Sequence, residues 1–272
     1  SSTQQPWPFM DRHLGPEPAP GMLGCVLVHG FTGSPYDMGF LGEGLAQAGF
    51  PVEIPLLTGH AGGARGIARA TVSDWRRDVS QPTEYLYRRT GVPPLVIGFS
   101  MGGLLALDLA LSRAEPLTGV ASLSAPLALP MSARIGADVA QRLGPLGRTL
   151  AWPKFTGPDI ATGERLPGAE TMPLCGVAEL LKLIEVVRRR LHILTSPLLV
   201  LHAAQDHTAP PESATDLVSR AGSSWVRMVT LETGFHVIPR DVCREQVSEE
   251  LLAFARWLRE GGEPAFGAQL LA

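Results

Sequence analysis

Gly98-Phe99-Ser100-Met101-Gly102 is a G-x-S-x-G pentapeptide set between an apolar run, PLVIGF, and an apolar helical pattern from Met101 to Ser112. A strand that turns sharply into a helix strains the residue at the turn and crowds the positions two before and two after it. Glycine at 98 and 102 relieves that crowding, and the hydroxyl of Ser100 then projects above the sheet at a helix N-terminus. The plainer reading is a tight turn with a capping serine. A serine hydroxyl is a weak nucleophile until a base takes its proton. Acyl transfer at Ser100 therefore requires a histidine and a carboxylate that orients it.

The chain has seven histidines. His13 lies in a Pro-rich segment without defined context, His192 ends a helix, and His202 sits inside an apolar strand as a core residue would. His207 directly follows Asp206, too close in sequence for the two side chains to pair readily. His236 differs, because ETGFHVIP is a Gly-containing loop after one strand and before the final helix. Asp206 holds the equivalent place one unit earlier, just past PLLVLHAAQ. The order Ser100, Asp206, His236 puts one residue on each of three strand ends, the ligand face of a parallel sheet. For Asp206 the competing role is a helix N-cap; Asp216, inside the following helix, is the weaker candidate acid. Negative charge developing on a carbonyl oxygen needs fixed donors. Met101 N–H, just after the nucleophile, is one, and Phe31 N–H in the small-residue loop HGFTGSP is the expected second. His29 is expected to pack behind that loop.

Elements must hold these residues in place. LGCVLVH, FPVEIP, PLVIGF, GVASLSAP, SPLLVLHAAQD and SWVRMVTLE read as strands. Helical patterns alternate with them, over Tyr36–Gly49 with Gly49 as C-cap, about Ser73 to Arg89 with Ser73 as N-cap, Met101–Ser112, about Pro211 to Ala221 and about Asp241 to Glu260. Such alternation predicts a mostly parallel sheet covered on both faces. The stretch 127–194 offers no good strand, only Pro, Gly and short apolar clusters. One strong helix then follows, with Leu180, Leu183, Ile184, Val187 and Leu191 on one face. Arg188-Arg189-Arg190 fall between those apolar positions and read as a solvated face near a helix C-terminus.

With 272 residues and 45% hydrophobic composition, the chain can bury a large core. A net charge of −3 without long charge blocks argues against nucleic acid or an anionic membrane surface as partner. Cys25, Cys175 and Cys243 are odd in number and scattered, which speaks against a disulfide framework or a structural zinc site; Cys25 reads as a small buried hydrophobe. No apolar run reaches about 18 residues, so no transmembrane helix is expected. Nor do residues 1–22 have the form of a signal peptide.

With Ser100, Asp206, His236 and HGFTGSP in hand, the chain resembles the α/β-hydrolase superfamily. More narrowly, it is similar to the bacterial carboxylesterase and monoacylglycerol lipase family of the thermostable Geobacillus esterase type. The resemblance runs from about Leu23 to Leu258 and is strongest at VLVHGFTGSP, GFSMGG, LLVLHAAQD and GFHV. Family members show H-G-F-T-G, G-x-S-x-G-G, Q-D or E-D, and G-H-V there; this chain departs in that the family's usual Ser/Gly-Gly-His appears as Gly234-Phe235-His236, with Phe before the base. The resemblance implies an α/β-hydrolase fold with a small, mainly helical cap. It gives an N-terminal extension (1–22), a core (23–126 and 195–262), a cap insertion (127–194) and a tail (263–272). The implied activity is hydrolysis of carboxylic esters through an acyl-serine, without metal or cofactor. Short- to medium-chain acyl esters or monoacylglycerols are the expected substrates. A thioesterase, acyltransferase or C–C hydrolase would use the same three residues. A non-catalytic binding relative would usually have lost one of them, and an epoxide hydrolase or dehalogenase would carry Asp at position 100. A cytoplasmic protein without stable membrane association is expected, with monomer and dimer both open.

Overall fold

The short apolar runs become strands because both of their faces are covered. The computed structural model describes residues 7–153 and 159–262. Its strands are β1 (Arg12–Leu14), β2 (Cys25–Val28), β3 (Val52–Ile54), β4 (Leu95–Phe99), β5 (Gly119–Leu123), β6 (Ala151–Pro153), β7 (Thr171–Pro173), β8 (Leu198–Ala203) and β9 (Val226–Leu231). All but β6 and β7 share one sheet, in the order β1-β3-β2-β4-β5-β8-β9. Every pairing in it is parallel except that of β1 with β3.

Alternation along the central strands sorts the side chains into two cores. Val26, Val28, Val96, Val120 and Val200 face one way. Cys25, Leu27, Leu95, Ile97, Leu199 and Leu201 face the other. Eight helices surround the sheet among the described residues: α1 (Gly39–Gln47), α2 (Gly63–Ile67), α3 (Val72–Thr90), α4 (Met101–Ser112), α5 (Met131–Arg142), α6 (Leu174–Arg190), α7 (Glu212–Arg220) and α8 (Arg244–Arg259). α1 and α8 bury Leu41, Leu45, Val247, Leu251 and Phe254 in the second core. α3, α4, α6 and α7 close the first. Each fully buried Leu or Val is worth roughly 1.5–3 kcal/mol of transfer free energy, and β2, β4, β5 and β8 are buried along their whole length. None of the described helices is long and apolar enough to cross a membrane.

Several sequence expectations are corrected. Thr71, not Ser73, caps α3: its hydroxyl accepts from Asp74 N–H, and the Asp74 carboxylate accepts in return from Thr71 N–H, 3.0 Å away. The helix predicted over Tyr36–Gly49 starts as a 3-10 turn, Pro35–Met38, and its C-cap is Ala48; Gly49 follows at φ 88°. The 127–194 stretch, expected to lack strands, carries the antiparallel β6–β7 ribbon and the unforeseen α5. Residues 12–14, within the Pro-rich extension, join the sheet edge as β1. Residues 1–6 of that extension and the 263–272 tail lie outside the described residues. Cys25 is fully buried, as expected, and burial pushes its thiol well above the usual range.

Candidate active site

β4 ends at Phe99, and α4 begins at Met101, so a single residue makes the turn. Ser100 holds it at φ 53°, ψ −118°, a left-handed φ that costs a non-glycine residue on the order of 1–3 kcal/mol. The surroundings enforce it. A Cβ on residue 98 would stand 2.0 Å from the Gly102 carbonyl oxygen, and one on residue 102 would stand 2.2 Å from the Val28 oxygen. Gly103 lets α4 pack beneath the turn, since a Cβ there would meet that of Ala125 at 2.9 Å. Ser100 N–H donates to Leu123 O at 2.8 Å, pinning the turn to β5.

The loops after β8 and β9 bring the other two residues to this turn. His236 Nε2 lies 3.0 Å from Ser100 Oγ, and its Nδ1 lies 2.8 Å from Asp206 Oδ2. An ionised carboxylate can only accept, so Nδ1 carries the proton and Nε2 is free to accept from the serine hydroxyl. Asp206 is buried, and burial alone would raise its pKa. Hydrogen bonds from His202 and His236, the imidazole's charge and the Ala209 N–H outweigh it and hold the carboxyl well below its usual range. Asp206 Oδ1 accepts from Thr208 N–H and Ala209 N–H at 2.9 and 2.7 Å. The cap-like backbone bonding and the contact to His236 thus coexist in one side chain.

The HGFTGSP loop reaches the same point. A Cβ on Gly30 would meet Ser100 Cβ at 3.2 Å and the Phe99 ring at 3.1 Å, so the backbone of this loop packs closely against the β4–α4 turn. Neither Phe31 N–H nor Met101 N–H donates to a backbone acceptor among the described residues. His29 sits behind the loop as expected: its Nδ1 donates to Gly30 O, and its Nε2 accepts from Leu57 N–H at 3.1 Å. Burial and then His60 lower its pKa well below the usual value, which keeps it neutral. α6 crosses this loop closely, since a Cβ on Gly176 would touch the Phe31 ring at 2.8 Å.

The other candidates sort themselves. His207 pairs with Asp159, not Asp206, at 2.8 Å. Asp216 is spent on Arg188 and Arg220 at the surface. In the arginine run, Arg189 pairs with Glu185 and Arg190 reaches Leu111 O. His202 is buried as predicted, but it is more than core. Its Nε2 lies 3.1 Å from Ala209 O and 3.2 Å from Asp206 Oδ2, and between two acceptors it must donate. Sequence reading missed this contact; the signal was a histidine four residues ahead of the acid. Phe235 packs edge-on against the His207 ring, centroids 4.6 Å apart.

The family described as serine aminopeptidase, S33, matches residues 23–242 of the chain. A thermostable monoacylglycerol lipase of Bacillus sp. (strain H-257) is 29% identical over 237 residues, covering 86% of this chain and 90% of that one. A carboxylesterase of Bacillus subtilis (strain 168) is 26% identical over 235 residues, covering 86% and 92%. Among solved structures, one reported with LipS and LipT, two metagenome-derived lipolytic enzymes, superposes with a TM-score of 0.82 at 29% identity, covering 92% of this chain and 98% of that one. The monoacylglycerol lipase of Paleococcus ferrophilus superposes with a TM-score of 0.74 at 22% identity, covering 92% and 98%, a likeness of fold.

Proposed function

The chain belongs to the serine aminopeptidase S33 family of α/β-hydrolases, and we propose that it is a serine hydrolase of carboxylic esters in which Ser100 attacks, His236 moves the proton and Asp206 holds His236. The carrying observation is the imidazole spanning both partners, 3.0 Å from Ser100 Oγ and 2.8 Å from Asp206 Oδ2. His236 Nε2 takes the hydroxyl proton as Oγ bonds to the carbonyl carbon. The negative oxygen that forms is met by the Phe31 and Met101 N–H groups and the N-terminus of α4. Asp206 stabilises the imidazolium, which then protonates the departing alcohol. Water repeats the sequence and frees the acid from the acyl-serine. None of these steps requires a metal or cofactor.

The family's description names an aminopeptidase, whereas the relatives above are named as lipase and carboxylesterase. Those relatives, each covering most of the chain, favour esters over amides. They also favour ester hydrolysis over thioester, acyltransfer or C–C chemistry. We take residues 127–194 as a cap over the site, and short- to medium-chain acyl esters or monoacylglycerols as substrates. The apolar cluster of Ala137, Val177 and Ala178, against which Phe31 packs, supports an apolar acyl group. The described cysteines are free, which suits a reducing, cytoplasmic setting.

Ser100→Ala is expected to lower p-nitrophenyl ester turnover by up to ~10⁶-fold, as comparable nucleophile deletions do. A fluorophosphonate probe should label the wild-type protein and not the variant. Near-normal turnover by the variant, or wild-type preference for an aminoacyl p-nitroanilide over every ester in a chain-length panel, would overturn the reading.

A further inference from the structure

Two carboxylates outside the Ser100–His236–Asp206 relay fasten the cap to the loops that carry the acid and the base. The first is Asp159, in the cap. Its Oδ2 accepts from His207 N–H at 2.9 Å and from the Thr208 hydroxyl at 3.0 Å, and its Oδ1 meets His207 Nδ1 at 2.8 Å. All three contacts fall on the two residues after Asp206. The Asp159 carbonyl also accepts from Val237 N–H at 3.1 Å, immediately after the base. One cap residue therefore touches the acid loop and the base loop together.

The second is Asp241, in the base loop, and it reaches the other way. It is almost completely buried, with 1% of its surface exposed. Its carboxylate accepts from Phe235 N–H at 2.7 Å, the peptide directly before His236, and from its neighbour Val242 N–H at 2.8 Å. It also accepts from the cap peptides of Ala161, 3.0 Å to either oxygen, and Thr162, 3.3 Å. Every one of these partners is a backbone N–H. A buried carboxylate satisfied by peptide N–H groups from two chain segments fixes both, because each N–H that lets go leaves charge unpaired. Gly234, at φ 85°, leaves room for this approach: a Cβ there would stand 2.7 Å from Cys243 Sγ and 3.3 Å from Asp241 Oδ2. Two residues beyond Thr162 along the cap, Glu164 accepts from Arg240 at 2.6 Å and from the Tyr36 hydroxyl at 3.0 Å.

We propose that cap segment 159–164 braces the acid and base loops, and that Asp159 and Asp241 are positioning residues for Asp206 and His236. This rests on the catalytic roles proposed above. The brace also fixes Phe235, directly before the base: its N–H is held by Asp241 and its ring by His207. It also makes the cap part of the catalytic geometry as well as a cover for substrate. Neither carboxylate belongs to the apolar cluster of Ala137, Val177 and Ala178, so their loss is expected to fall on turnover.

The test compares wild type with Asp159→Ala and Asp241→Asn, each measured per fluorophosphonate-titrated site on one p-nitrophenyl ester, with Ser100→Ala, measured per mole of protein, as the background. Asp159→Ala removes three hydrogen bonds near the surface; Asp241→Asn turns an acceptor-only group into one that presents a donor to peptide N–H groups. Misplacing reacting groups by about 1 Å can cost ~10²-fold, so kcat is expected to fall at least ~10-fold in both variants with KM within about 3-fold. A purely structural role would lower the melting temperature and the titratable fraction while leaving kcat per site unchanged. Turnover per site within about 2-fold of wild type in Asp159→Ala overturns the brace, even if Asp241→Asn fails to fold. Failure of the wild type to label at Ser100 would instead sink the catalytic assignment beneath it.

Discussion

At the scale of the residue, the three proposed catalytic side chains were legible because each has a local signature. The G-x-S-x-G turn requires glycines at 98 and 102 for reasons of backbone contact alone, and the 2.0 and 2.2 Å approaches show that requirement. Asp206 and His236 each follow a strand in a loop of small or polar residues. What supports them was not legible. Asp159 and Asp241 meet partners on other elements, with separations of 48 residues from Asp159 to His207 and 80 from Ala161 to Asp241, whereas His202 meets Asp206 only four residues on. No periodicity announces such a contact. Asp206 itself gives a sharp expectation. Asn at 206 keeps the shape but presents an amide where His236 Nδ1–H needs an acceptor, favouring the wrong tautomer. Asp206→Asn should lower kcat by ~10⁴-fold while the fold persists, measured as ester turnover beside a far-ultraviolet circular dichroism spectrum. Loss of only a few-fold would remove Asp206 from its role.

At the scale of the element, strands with both faces buried and helices with one apolar face were read well, because burial writes a period into the sequence. The failures share a cause. β1, β6 and β7 are three residues each and mostly half-buried or exposed, so no apolar run marks them, whereas the equally short β3 is buried throughout. α5 hides its nature differently. It buries Ala137 and Ala140 while Met131, Ile135 and Val139 face outward, so its large apolar residues mark the wrong face. The turn between β4 and α4 offers the clearest element-level test. Gly102→Ala would drive a methyl into the β2 backbone, where neither Val28 nor His29 can retreat without opening the sheet. The expected cost is ~3 kcal/mol or more, at the upper end of overpacking. Gly62→Ala is the matched control, since nothing lies within 4 Å of its would-be Cβ. Urea midpoints of the two variants should differ by that margin; equal midpoints would mean the turn has slack.

At the scale of the whole molecule, folding stability should depend on pH through two buried carboxyls of opposite sign. Asp206 is held below its ordinary value of 3.8, so its ionised form favours the folded state. That contribution is complete above about pH 4 and drains away as pH falls further, towards the depressed folded value. Glu53, in β3, is raised above its ordinary 4.5, by burial first, against the opposing pull of His13 at 2.5 Å. For a raised carboxyl the sign reverses: its contribution is fully present below 4.5 and is lost as pH climbs through the folded value. At neutral pH, Glu53 therefore carries a desolvated charge at the β1–β3 edge, offset in part by an exposed histidine. Glu53→Gln removes that charge. Its urea midpoint should match or exceed wild type at pH 7 to 8, and the advantage should shrink by pH 4, where wild-type Glu53 is itself largely protonated. Asp206→Asn should instead flatten the acid limb below pH 4 and weaken the protein at neutral pH. Parallel curves for wild type and both variants from pH 3 to 8 would show that neither carboxyl titrates differently in the folded and unfolded chain.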